Sequence, residues 1–588
     1  MEMKKPICLI ENTLDNKFQC NPQALEILNS ISQPVVVVAV VGLYRTGKSF
    51  LMNQLAGKKS GFSLGSTIQS ETKGIWMWCI PHPNKYNETL VLLDTEGLGD
   101  VEKGDQTNDN WIFALSVLLA STLVYNSMST ISNDAVEQLQ YVTELTKYIK
   151  VNAEGDQTED ALYAGFFPLF LWTVRDFTLQ LELNGKPITA DEYLENSLKL
   201  KKGDTERIDR FNLPRECIRK YFPTRKCFVF DQPTSPRKMW KIEELSDSDL
   251  NADFVQQAKE FCQYIYNEAK IKTIKEGITA TGKMLGHLVV IYMDAINSGT
   301  VPCLENAVSA LAQIENSAAV LNSLSYYKEK MSQDVSLPTD TTEELSDLHG
   351  KYEKEALELF MKRSFKDKDH KHQEELAMAV VEEYKSICCK NEEESKKRSL
   401  ALLQQLYTEM ETKVNEGIFI RPGGYQQYKE ELNRIVNQYK STPHKGIKAD
   451  AVLLDFLKDK EDLGSSILNA DNTISKHQME LEVEKIKQET MEQERKAAEE
   501  KHKELKQNLL DQERTHKENL EQYMEKAESE RQKYIQEQNA ILDAKLKEQQ
   551  QLINEGFAKK SESMAHEIQA LRYQIANAGR GGGRCVII

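Results

Sequence analysis

The residues GLYRTGKS at positions 42–49 combine glycine, lysine and serine in a spacing that can bind phosphate. Seven apolar residues at positions 35–41 precede them, and a helix-like pattern follows. Two glycines, Gly42 and Gly47, would let the backbone turn so that its N–H groups line a concave nest. The sequence therefore predicts a strand, a phosphate-binding loop and a helix in the G-x-x-x-x-G-K-[ST] pattern, with a plain glycine turn as the alternative.

Lys48 and Ser49 carry the chemistry of this loop. The helix is expected to begin at one of them, so that the positive end of its dipole faces the phosphates. Lys48 supplies a mobile cation for the terminal phosphates, and Ser49 offers a hydroxyl to Mg²⁺, the one cofactor that we expect. The loop residues predicted to contact the nucleotide besides these two are Gly42, Tyr44, Arg45, Thr46, Gly47 and Phe50.

A second acidic group is expected where a phosphate-binding loop holds a metal. DTEG at positions 94–97, at the end of the apolar run TLVLLD, supplies it. Asp94 would hold Mg²⁺ through water, and the Gly97 N–H would meet the γ-phosphate. Between the two motifs lies the polar loop STIQSETKG at positions 66–74, where Thr72 is placed to offer the metal a second hydroxyl.

The attacking water needs an orienting group, but the position after DTEG is Leu98, where small GTPases usually carry glutamine. An apolar side chain cannot orient water, so the nearby polar candidates are Ser70, Thr72 and Glu96. Arg45, inside the phosphate-binding loop, could supply the cation that stabilises the transition state. It could equally point into solvent, and its position in the motif does not decide between the two.

Base recognition is predicted at TVRD, positions 173–176, which follows the apolar run FPLFLW. Guanine readers usually have N/T-K-x-D, whose aspartate accepts hydrogen bonds from N1–H and the exocyclic N2 amine. Adenine would leave that carboxylate unpaired. Here Arg175 replaces the lysine and Asp176 is the aspartate. An Arg-Asp pair at a strand end can also be a local ion pair, so the residues alone favour guanine over adenine only modestly.

The chain between about residues 30 and 280 alternates apolar runs with helical stretches. Four runs besides the first resemble buried strands that end in a polar residue: 89–94, 121–127, 167–176 and 226–231. In an open α/β sheet, the carboxyl ends of parallel strands surround the ligand. We therefore predict an α/β domain with a mostly parallel sheet and helices on both faces.

Strand signals stop after about Pro302, and helix-forming residues fill an elongated all-α C-terminal half. Breaks are predicted at residues 336–340 (SLPTD) and 421–424 (RPGG). Residues 480–577 contain no Pro and a single Gly, Gly556. Their apolar residues do not hold a strict heptad, so we expect long helices that dock intermittently on other helices, with solvated charged faces between.

Composition excludes several classes of protein. Asp and Glu number 91 against 75 Lys and Arg, and the formal charge of -16 argues against general nucleic-acid binding. No apolar run reaches the roughly 18 residues of a membrane span and no secretory signal is found, so we expect a cytosolic chain. The ten cysteines include no C-x-x-C pair, which predicts neither a metal site nor a disulfide framework.

Taken together, GLYRTGKS, QSETKGIWMWC, LLDTEGLGDVEKGD and TVRD, followed by a helical half, closely resemble the interferon-inducible guanylate-binding proteins of the dynamin-like large GTPases. The resemblance covers essentially the whole chain. It implies a GTPase domain, a helical middle domain and a long helical effector region, which we assign to residues 1–302, 303–478 and 479–578, and the glycine-rich residues 579–588 are assigned to a flexible tail.

The resemblance also implies partners and a biological setting. GTP is the expected ligand, and nucleotide is expected to drive homodimers and larger assemblies through the GTPase domain, including hetero-oligomers with related proteins. The expected location is the cytoplasm, with reversible association to vesicle, Golgi or pathogen-vacuole membranes. The expected role is cell-autonomous innate defence against intracellular pathogens.

Roles of single residues are carried over only where the motifs match. Lys48, Ser49 and Asp94 resemble the phosphate and metal contacts of the family, and Lys48 is also counted among the catalytic residues. Arg175 and Asp176 resemble its guanine readers.

The catalytic set implied by the resemblance lies around the same loop. Arg45 resembles an internal arginine finger that engages when two GTPase domains face each other. Ser70 resembles the water-positioning serine, Thr72 the switch threonine, and Glu96 the second DTEG carboxylate. Glu71 stands where many relatives have histidine, and TVRD where TLRD is commoner; the motifs leave open whether GDP is cut further to GMP.

The sequence ends in GRGGGRCVII, so Cys585 begins a C-a-a-X box that predicts prenylation. The bulky apolar Ile588 favours geranylgeranyl over farnesyl, and the glycines at 581–583 would form a flexible tether. One lipid chain binds membranes only reversibly, so a second signal is needed, and assembly of several molecules would supply it.

Two other functions stay open on the residues alone. In the first, the chain is a nucleotide-switched scaffold or interaction protein in which hydrolysis is incidental. In the second, it is a P-loop ATPase or kinase, which the long switch-like loop and TVRD disfavour.

Overall fold

The computed structural model describes residues 3–13, 17–64, 73–99, 106–137, 142, 149, 167–203, 205–274, 278–367, 369–421, 423–471, 479–554 and 558–580. The chain divides into two compact units. The first unit is Met1–Gln313 with Glu528–Ile588, and the second is Ile314–Ala527. The domain limits predicted at residues 302, 478 and 578 stay predictions.

The first unit is built on a sheet that has eight strands within the described residues. These strands are β1 (Ile7–Asn12), β2 (Phe18–Cys20), β3 (Val35–Val41), β4 (Ile75–Pro81), β5 (Thr89–Thr95), β6 (Thr122–Met128), β7 (Leu169–Arg175) and, after a short hairpin of β8 (Glu182–Leu183) and β9 (Lys186–Pro187), β10 (Arg225–Val229). Their order is β10-β7-β6-β3-β5-β4-β1-β2. The five strands from β10 to β5 are parallel, and β4, β1 and β2 continue the sheet as antiparallel strands. A second hairpin, β11 (Thr273–Ile274) and β12 (Ile278–Thr279), lies outside this sheet.

Helices accompany the strands of the first unit. They are α1 (Pro22–Ser30), α2 (Lys48–Leu55), α3 (Gln106–Leu119), α4 (Asn133–Glu137), α5 (Ala190–Ser197), α6 (Glu206–Tyr221), α7 (Ala252–Glu268) and α8 (Gly282–Asn297). Two short 3₁₀ helices, Met239–Glu244 and Asp247–Asp249, precede α7.

Strand β3 explains why the phosphate-binding loop is rigid at its start. All seven of its residues are buried, because helices cover both faces of the parallel sheet. Val36, Val38 and Val40 pack with Phe50 of α2 and Phe261 of α7. The loop that follows therefore leaves a strand that cannot move without opening the core.

The predicted α/β fold class is confirmed, and so are the five predicted parallel strands, to within one or two residues at most ends. The antiparallel strands β1, β2 and β4 were not predicted. The 167–176 run begins its strand at Leu169 and the 226–231 run at Arg225.

The second unit is helical. Its helices are α9 (Leu304–Asp334, shared with the first unit), α10 (Thr342–Arg363), α11 (Lys371–Asn415), α12 (Gly424–Ser441), α13 (Ala449–Asp471) and α14 (Met479–Asn554) up to Ala527. Both predicted breaks are confirmed, since α9 ends before residues 336–340 and α12 begins at Gly424.

Two apolar cores lie along α11, which is 45 residues long. The first joins α9, α10 and the first half of α11 around Tyr327, Tyr352 and Phe360. The second joins the other half of α11 to α12 and α13 around Tyr407 and Tyr439. A helix this long therefore stays ordered by packing at both of its halves.

The last helices are α14 and α15 (Ala558–Arg580), and Gly556 lies outside the described residues. Buried and exposed positions alternate along α14, as predicted. In the second unit the buried positions include the polar Asp511 and Thr515, whereas Leu505 and Leu509 are exposed by 61% and 55%. Among the described helices, none is both long enough and apolar enough to cross a membrane.

Candidate functional site

The phosphate-binding loop joins β3 to α2 in the predicted geometry. Gly42 has φ 151°, and a β-carbon there would overlap the carbonyl oxygen of Asn126 at the end of β6. Gly47 is the N-cap of α2 with φ 81°, and no side chain caps the first turn. The first N–H groups of α2 are therefore free of side-chain caps and point toward the loop, as an anion site requires.

Lys48 is the first residue of α2 and is buried at 6% exposure. Its ammonium donates to the carbonyl oxygens of Gly42 (3.2 Å) and Leu43 (3.0 Å), which hold it over the loop. Burial lowers the pKa of Lys48 to about 8, and the nearby carboxylates of Asp94 and Glu96 act in the opposite direction. A phosphate group that paired with the ammonium would favour the charged form and raise this pKa again.

Ser49 and Asp94 meet at the predicted metal position. The Ser49 hydroxyl donates to Oδ2 of Asp94 at 2.6 Å, and the Asp94 side chain is fully buried at the end of β5. β3 and β5 are paired in parallel, with Val40 opposite Asp94, which brings the two motifs to one edge of the sheet. This pair offers hard oxygen ligands, the type that Mg²⁺ prefers.

The DTEG segment packs directly on the phosphate-binding loop. A β-carbon on Gly97 would overlap the backbone of Tyr44, so only glycine fits this approach. Leu98 is buried, and its backbone pairs with the loop through Tyr44 N–H to Leu98 carbonyl (3.3 Å) and Leu98 N–H to Gly42 carbonyl (3.1 Å). A buried leucine at this position cannot orient water, in agreement with the sequence argument.

Glu96 lies next to the site, but its carboxylate has structural partners. One oxygen accepts from the Gly74 N–H at 2.6 Å, and the other accepts from the Asn12 side chain at 3.3 Å. Asn12 also exchanges two 3.0 Å hydrogen bonds with Asn108. Glu96 therefore holds Gly74, the residue before β4, beside the end of β5, and the predicted role in water activation stays a prediction.

Arg45 is exposed at the tip of the loop. Its φ is 63°, and its guanidinium lies 5.5 Å from the centroid of the Tyr44 ring. The side chain can therefore reach a phosphate or a second molecule without breaking a buried contact. Thr46, in contrast, is buried, and its hydroxyl donates to the Leu43 carbonyl at 2.8 Å.

TVRD ends β7 beside the loop, but its two predicted readers differ. The Arg175 guanidinium is enclosed by the rings of Phe50, Phe230 and Phe254, at 5.4 to 5.6 Å, and donates to the Gly47 carbonyl at 3.4 Å. Burial lowers its pKa to about 10. Arg175 thus braces the loop from behind.

Asp176 is half-buried just after β7 and has φ 52°. Burial raises the pKa of its carboxyl, while Arg175 acts in the opposite direction. Asp176 is therefore the TVRD residue that can face a base.

Several supporting residues escaped the sequence argument. Asn126 donates to the Thr46 carbonyl and accepts from Thr173, and Asp109 of α3 accepts from the Gly99 N–H at 2.6 Å. For Asn126, the sequence signal was a polar residue near the end of a buried strand, as in VYNS, but that signal does not identify the hydrogen-bond partner.

Some predicted residues lie outside the part of the chain that the structure describes. These are Ser70, Glu71, Thr72 and Cys585 with its tail. Within that part, Lys48, Ser49, Asp94, Gly97, Arg175 and Asp176 come together around one loop, and Gly42, Tyr44, Arg45, Thr46, Gly47 and Phe50 form or flank it.

Comparisons with known proteins agree with this geometry. A family profile described as "Guanylate-binding protein, N-terminal domain" matches residues 15–274, and one described as "Guanylate-binding protein, C-terminal domain" matches residues 276–572. The chain is 53% identical over 495 residues to Guanylate-binding protein 1 of Homo sapiens, covering 83% of each chain. It is 50% identical over 578 residues to Guanylate-binding protein 6 of Homo sapiens (98% of this chain, 91% of the relative) and 49% identical over 577 residues to Guanylate-binding protein 7 of Mus musculus (97% and 90%).

Proposed function

This chain belongs to the guanylate-binding protein family of large GTPases, and we propose that it binds GTP and hydrolyses it to GDP at the loop between β3 and α2. One observation carries the proposal. Lys48, the Ser49–Asp94 pair and Asp176 converge at the carboxyl edge of the parallel strands, where phosphates, metal and base of one nucleotide would each find a partner.

The phosphates would bind in the nest of N–H groups at the start of α2. Lys48 would exchange its two loop carbonyls for phosphate oxygens, and the anion would raise the pKa of the Lys48 ammonium again. This exchange needs no rearrangement of β3 or α2, so the site is preorganised for charge stabilisation.

Mg²⁺ fits the hydroxyl and carboxylate at the end of β5. Ser49 would bind the metal directly and Asp94 through water, with Thr72 as a further ligand predicted from the sequence. When bound, the metal would neutralise charge on the β- and γ-phosphates. Few protein ligands are needed, because Mg²⁺ keeps several waters and takes phosphate oxygens.

Hydrolysis would depend on Arg45. This arginine is exposed at the tip of the loop between β3 and α2 and could stabilise transition-state charge once a second GTPase domain closes the site. Ser70, Thr72 and Glu96 are the candidates for placing the water. Since Arg45 would act in an assembled state, the activity per molecule is expected to rise with protein concentration.

A nucleotide competition tests the proposal. Unlabelled GTP should displace a fluorescent GTP analogue at a concentration at least about tenfold lower than ATP, because the Asp176 carboxylate would stay unpaired against adenine. Arg45→Ala should bind GTP like the wild type but hydrolyse it about 10³-fold more slowly. Arg210→Ala, an exposed arginine on α6, is the control and should change neither quantity. Equal competition by ATP would refute guanine recognition.

We also propose that the chain assembles on membranes through a prenyl group on Cys585 and acts in innate defence against intracellular pathogens. The support is the family membership and the CVII sequence. Prenylated protein should pellet with liposomes more strongly with a GTP analogue than with GDP, and Cys585→Ser should abolish both. Equal binding in the two nucleotide states would refute the coupling.

The scaffold alternative can be separated from the enzyme. If nucleotide binding is required and hydrolysis is incidental, Lys48→Ala should abolish defence while Arg45→Ala preserves it. Loss of defence in both variants would favour the enzyme. The products of the reaction, measured by chromatography, decide whether GMP is formed in addition to GDP.

A further inference from the structure

Asn126, at the carboxyl end of β6, lies directly behind the phosphate-binding loop. Its side chain is fully buried. The Nδ2 amine donates to the Thr46 carbonyl at 2.7 Å, and Oδ1 accepts from the Thr173 hydroxyl at 2.8 Å. The loop can come this close because Gly42 lacks a β-carbon, which would overlap the Asn126 backbone. The side-chain amide of Asn126 therefore forms one hydrogen bond to the loop and one to β7.

Because the peptide bond is planar, the contact between Asn126 and the Thr46 carbonyl also determines where the next N–H of the nest points. In a trans peptide the C=O and N–H groups point in opposite directions. The Thr46 carbonyl is drawn toward β6, so the N–H of Gly47 in the same peptide faces the other way, toward the nest. The Gly47 carbonyl accepts from the Leu51 N–H of α2 (3.3 Å) and from Arg175 (3.4 Å), and these two bonds orient the N–H of Lys48 in the same way.

We propose that Asn126, oriented by Thr173, is a positioning residue for the phosphate nest and couples it to the base-reading segment TVRD. We call the Asn126–Thr173–Thr46 set the asparagine clamp. Thr173 and Asp176 lie in the same four residues, so a base held by Asp176 and a nest held through Thr173 share one strand end. The inference rests on the proposed function, since it concerns how the same site is kept in shape.

A residue that only fills the core would have a different effect. Loss of core packing lowers the stability of the fold and reduces the affinity for all three nucleotides by the same factor. Loss of the clamp lets the Thr46–Gly47 peptide plane rotate, which affects the nucleotide through its diphosphate portion. GTP and GDP carry the β-phosphate that the nest binds, whereas GMP carries a single phosphate. The comparison of GTP, GDP and GMP therefore separates the two roles.

The test uses the full chain and titrates the three nucleotides by calorimetry. Asn126→Leu, whose side chain is similar in volume but has no hydrogen-bond donor, should lower the affinity for GTP and for GDP by about tenfold each and the affinity for GMP by less than about twofold. Thr173→Val should weaken GTP and GDP by about threefold, and Thr173→Ser, which keeps the hydroxyl, should restore wild-type affinity. If Asn126→Leu does not fold, the Thr173 pair decides.

Ser127→Ala is the matched control. Ser127 follows Asn126 on β6 and is also buried. Its hydroxyl accepts from the Trp172 indole (2.9 Å) and donates to the Thr173 backbone carbonyl (3.5 Å), and within the described residues it makes no hydrogen bond to the loop or to the Thr173 hydroxyl. It should lower stability without changing nucleotide affinity. The clamp is overturned if Asn126→Leu binds like the wild type, if GMP weakens as much as GTP, or if Ser127→Ala matches Asn126→Leu. A wild-type chain that binds none of the three nucleotides would overturn the proposed function, and the clamp with it.

Discussion

Lys48 shows how burial prepares a single residue for its ligand. Its pKa is lowered to about 8 by desolvation, so above that pH the free protein carries a neutral amine. A bound phosphate pairs with the charged form, and binding must therefore take up a proton at pH above about 8. Below this pH the lysine is already charged and no proton is needed.

We therefore predict that the affinity for GDP changes little between about pH 7 and 7.5 and falls as the pH rises through 8, by up to about tenfold per unit. Calorimetry in buffers of different ionisation enthalpy should detect proton uptake at pH 8.5 and none at pH 7. Lys48→Arg keeps a charge throughout this range, so its affinity, although lower, should not follow the same slope. A flat wild-type profile up to pH 9 would contradict the prediction.

Asp176 allows a change of base specificity with little disturbance of the backbone. Its φ of 52° lies in the left-handed region, which asparagine tolerates as well as aspartate does. In Asp176→Asn, an amide donor replaces one of the two carboxylate oxygens, so the exocyclic N2 amine of guanine loses its acceptor while the C2 carbonyl of xanthine gains a donor. We predict that GTP affinity falls and XTP affinity rises, each by about 100-fold.

A competition of GTP and XTP for both proteins measures this exchange. Asp231→Asn is a suitable control, because Asp231 also follows a parallel strand but is paired with Gln257. It should leave the order of the two nucleotides unchanged. If Asp176→Asn keeps its preference for GTP, Asp176 is not the base reader.

The residues proposed to act on the nucleotide could be picked out from the sequence, whereas those that hold them in place could not. GKS and DTEG are motifs of fixed sequence, because phosphate and metal binding would require those residue types in that order. Asn126 and Glu96 meet partners 80 and 22 residues away, and only the sheet order brings those groups together. Arg175 was predicted to read the base. That three phenylalanine rings enclose it could not be predicted, because those rings come from distant parts of the sequence.

At the scale of elements, the two halves of the sheet differ in how strongly the sequence signals them. The parallel strands are covered on both faces and appear as continuous apolar runs such as VVVVAVV. β1 and β2 are short antiparallel strands at the edge, with mixed polar residues. β4, IWMWCIP, contains two tryptophans and a proline, and without its partner β5 this pattern does not identify a strand.

The packing of α10 and α14 in the second unit is polar at its centre. His349 is buried, stacks on the Tyr384 ring at 3.8 Å and lies 3.7 Å from Glu353. The Tyr327 hydroxyl is 3.0 Å from its ring, and the charged groups facing the pair from α14 are Asp511, Arg514 and Glu518. Burial lowers the pKa of His349 to about 4 and raises that of Glu353 to about 7.

These two shifts have opposite effects on stability. The ordinary pKa of histidine is 6.5, so on acidification the unfolded state takes up its proton first, and stability falls between pH 6.5 and 4. The ordinary pKa of glutamate is 4.5, so the folded state takes up the Glu353 proton first, and stability rises between pH 7 and 4.5. In the wild type the two contributions cancel over most of this window.

We predict that single substitutions remove this cancellation. Relative to the wild type, Glu353→Gln should lose stability on acidification from pH 7 to 4.5, by up to about 1.4 kcal/mol per unit, and His349→Gln should gain it. Urea unfolding at pH 5 and pH 6.5 measures both, and taking differences from the wild type removes the other titrating groups. Two differences that do not vary with pH would contradict the assignment.

At the scale of the molecule, buried ion pairs within the first unit join residues that are more than 300 positions apart in the sequence. Glu548 of α14 is 4% exposed and lies between Arg219 and Arg225, the latter at 2.8 Å. Burial alone would lower the pKa of Arg225, but Glu548 and Glu195 outweigh it and raise that pKa. Gln551, one turn further along α14, also donates to Glu195 at 3.1 Å. The C-terminal part of α14 is therefore held to α6 and β10 by a buried charged cluster.

Glu548→Ala should be among the most destabilising single changes in the first unit, because it leaves two buried arginines facing each other with one fewer carboxylate. Removing one partner of a buried ion pair destabilises a protein by about 3–5 kcal/mol. This cost is smallest if residues 528–580 detach from the rest of the unit, because both arginines are then hydrated. We therefore predict that Glu548→Ala makes this segment sensitive to limited proteolysis while the nucleotide site, which shares no hydrogen-bond partner with the cluster in the described residues, keeps its GTP affinity. Asp543→Ala, an exposed acidic residue on the same helix, should leave the cleavage pattern unchanged. If Glu548→Ala resists protease like the wild type, apolar contacts such as that of buried Leu552 hold the helix without the charges, and the cluster determines where α14 docks but not how strongly.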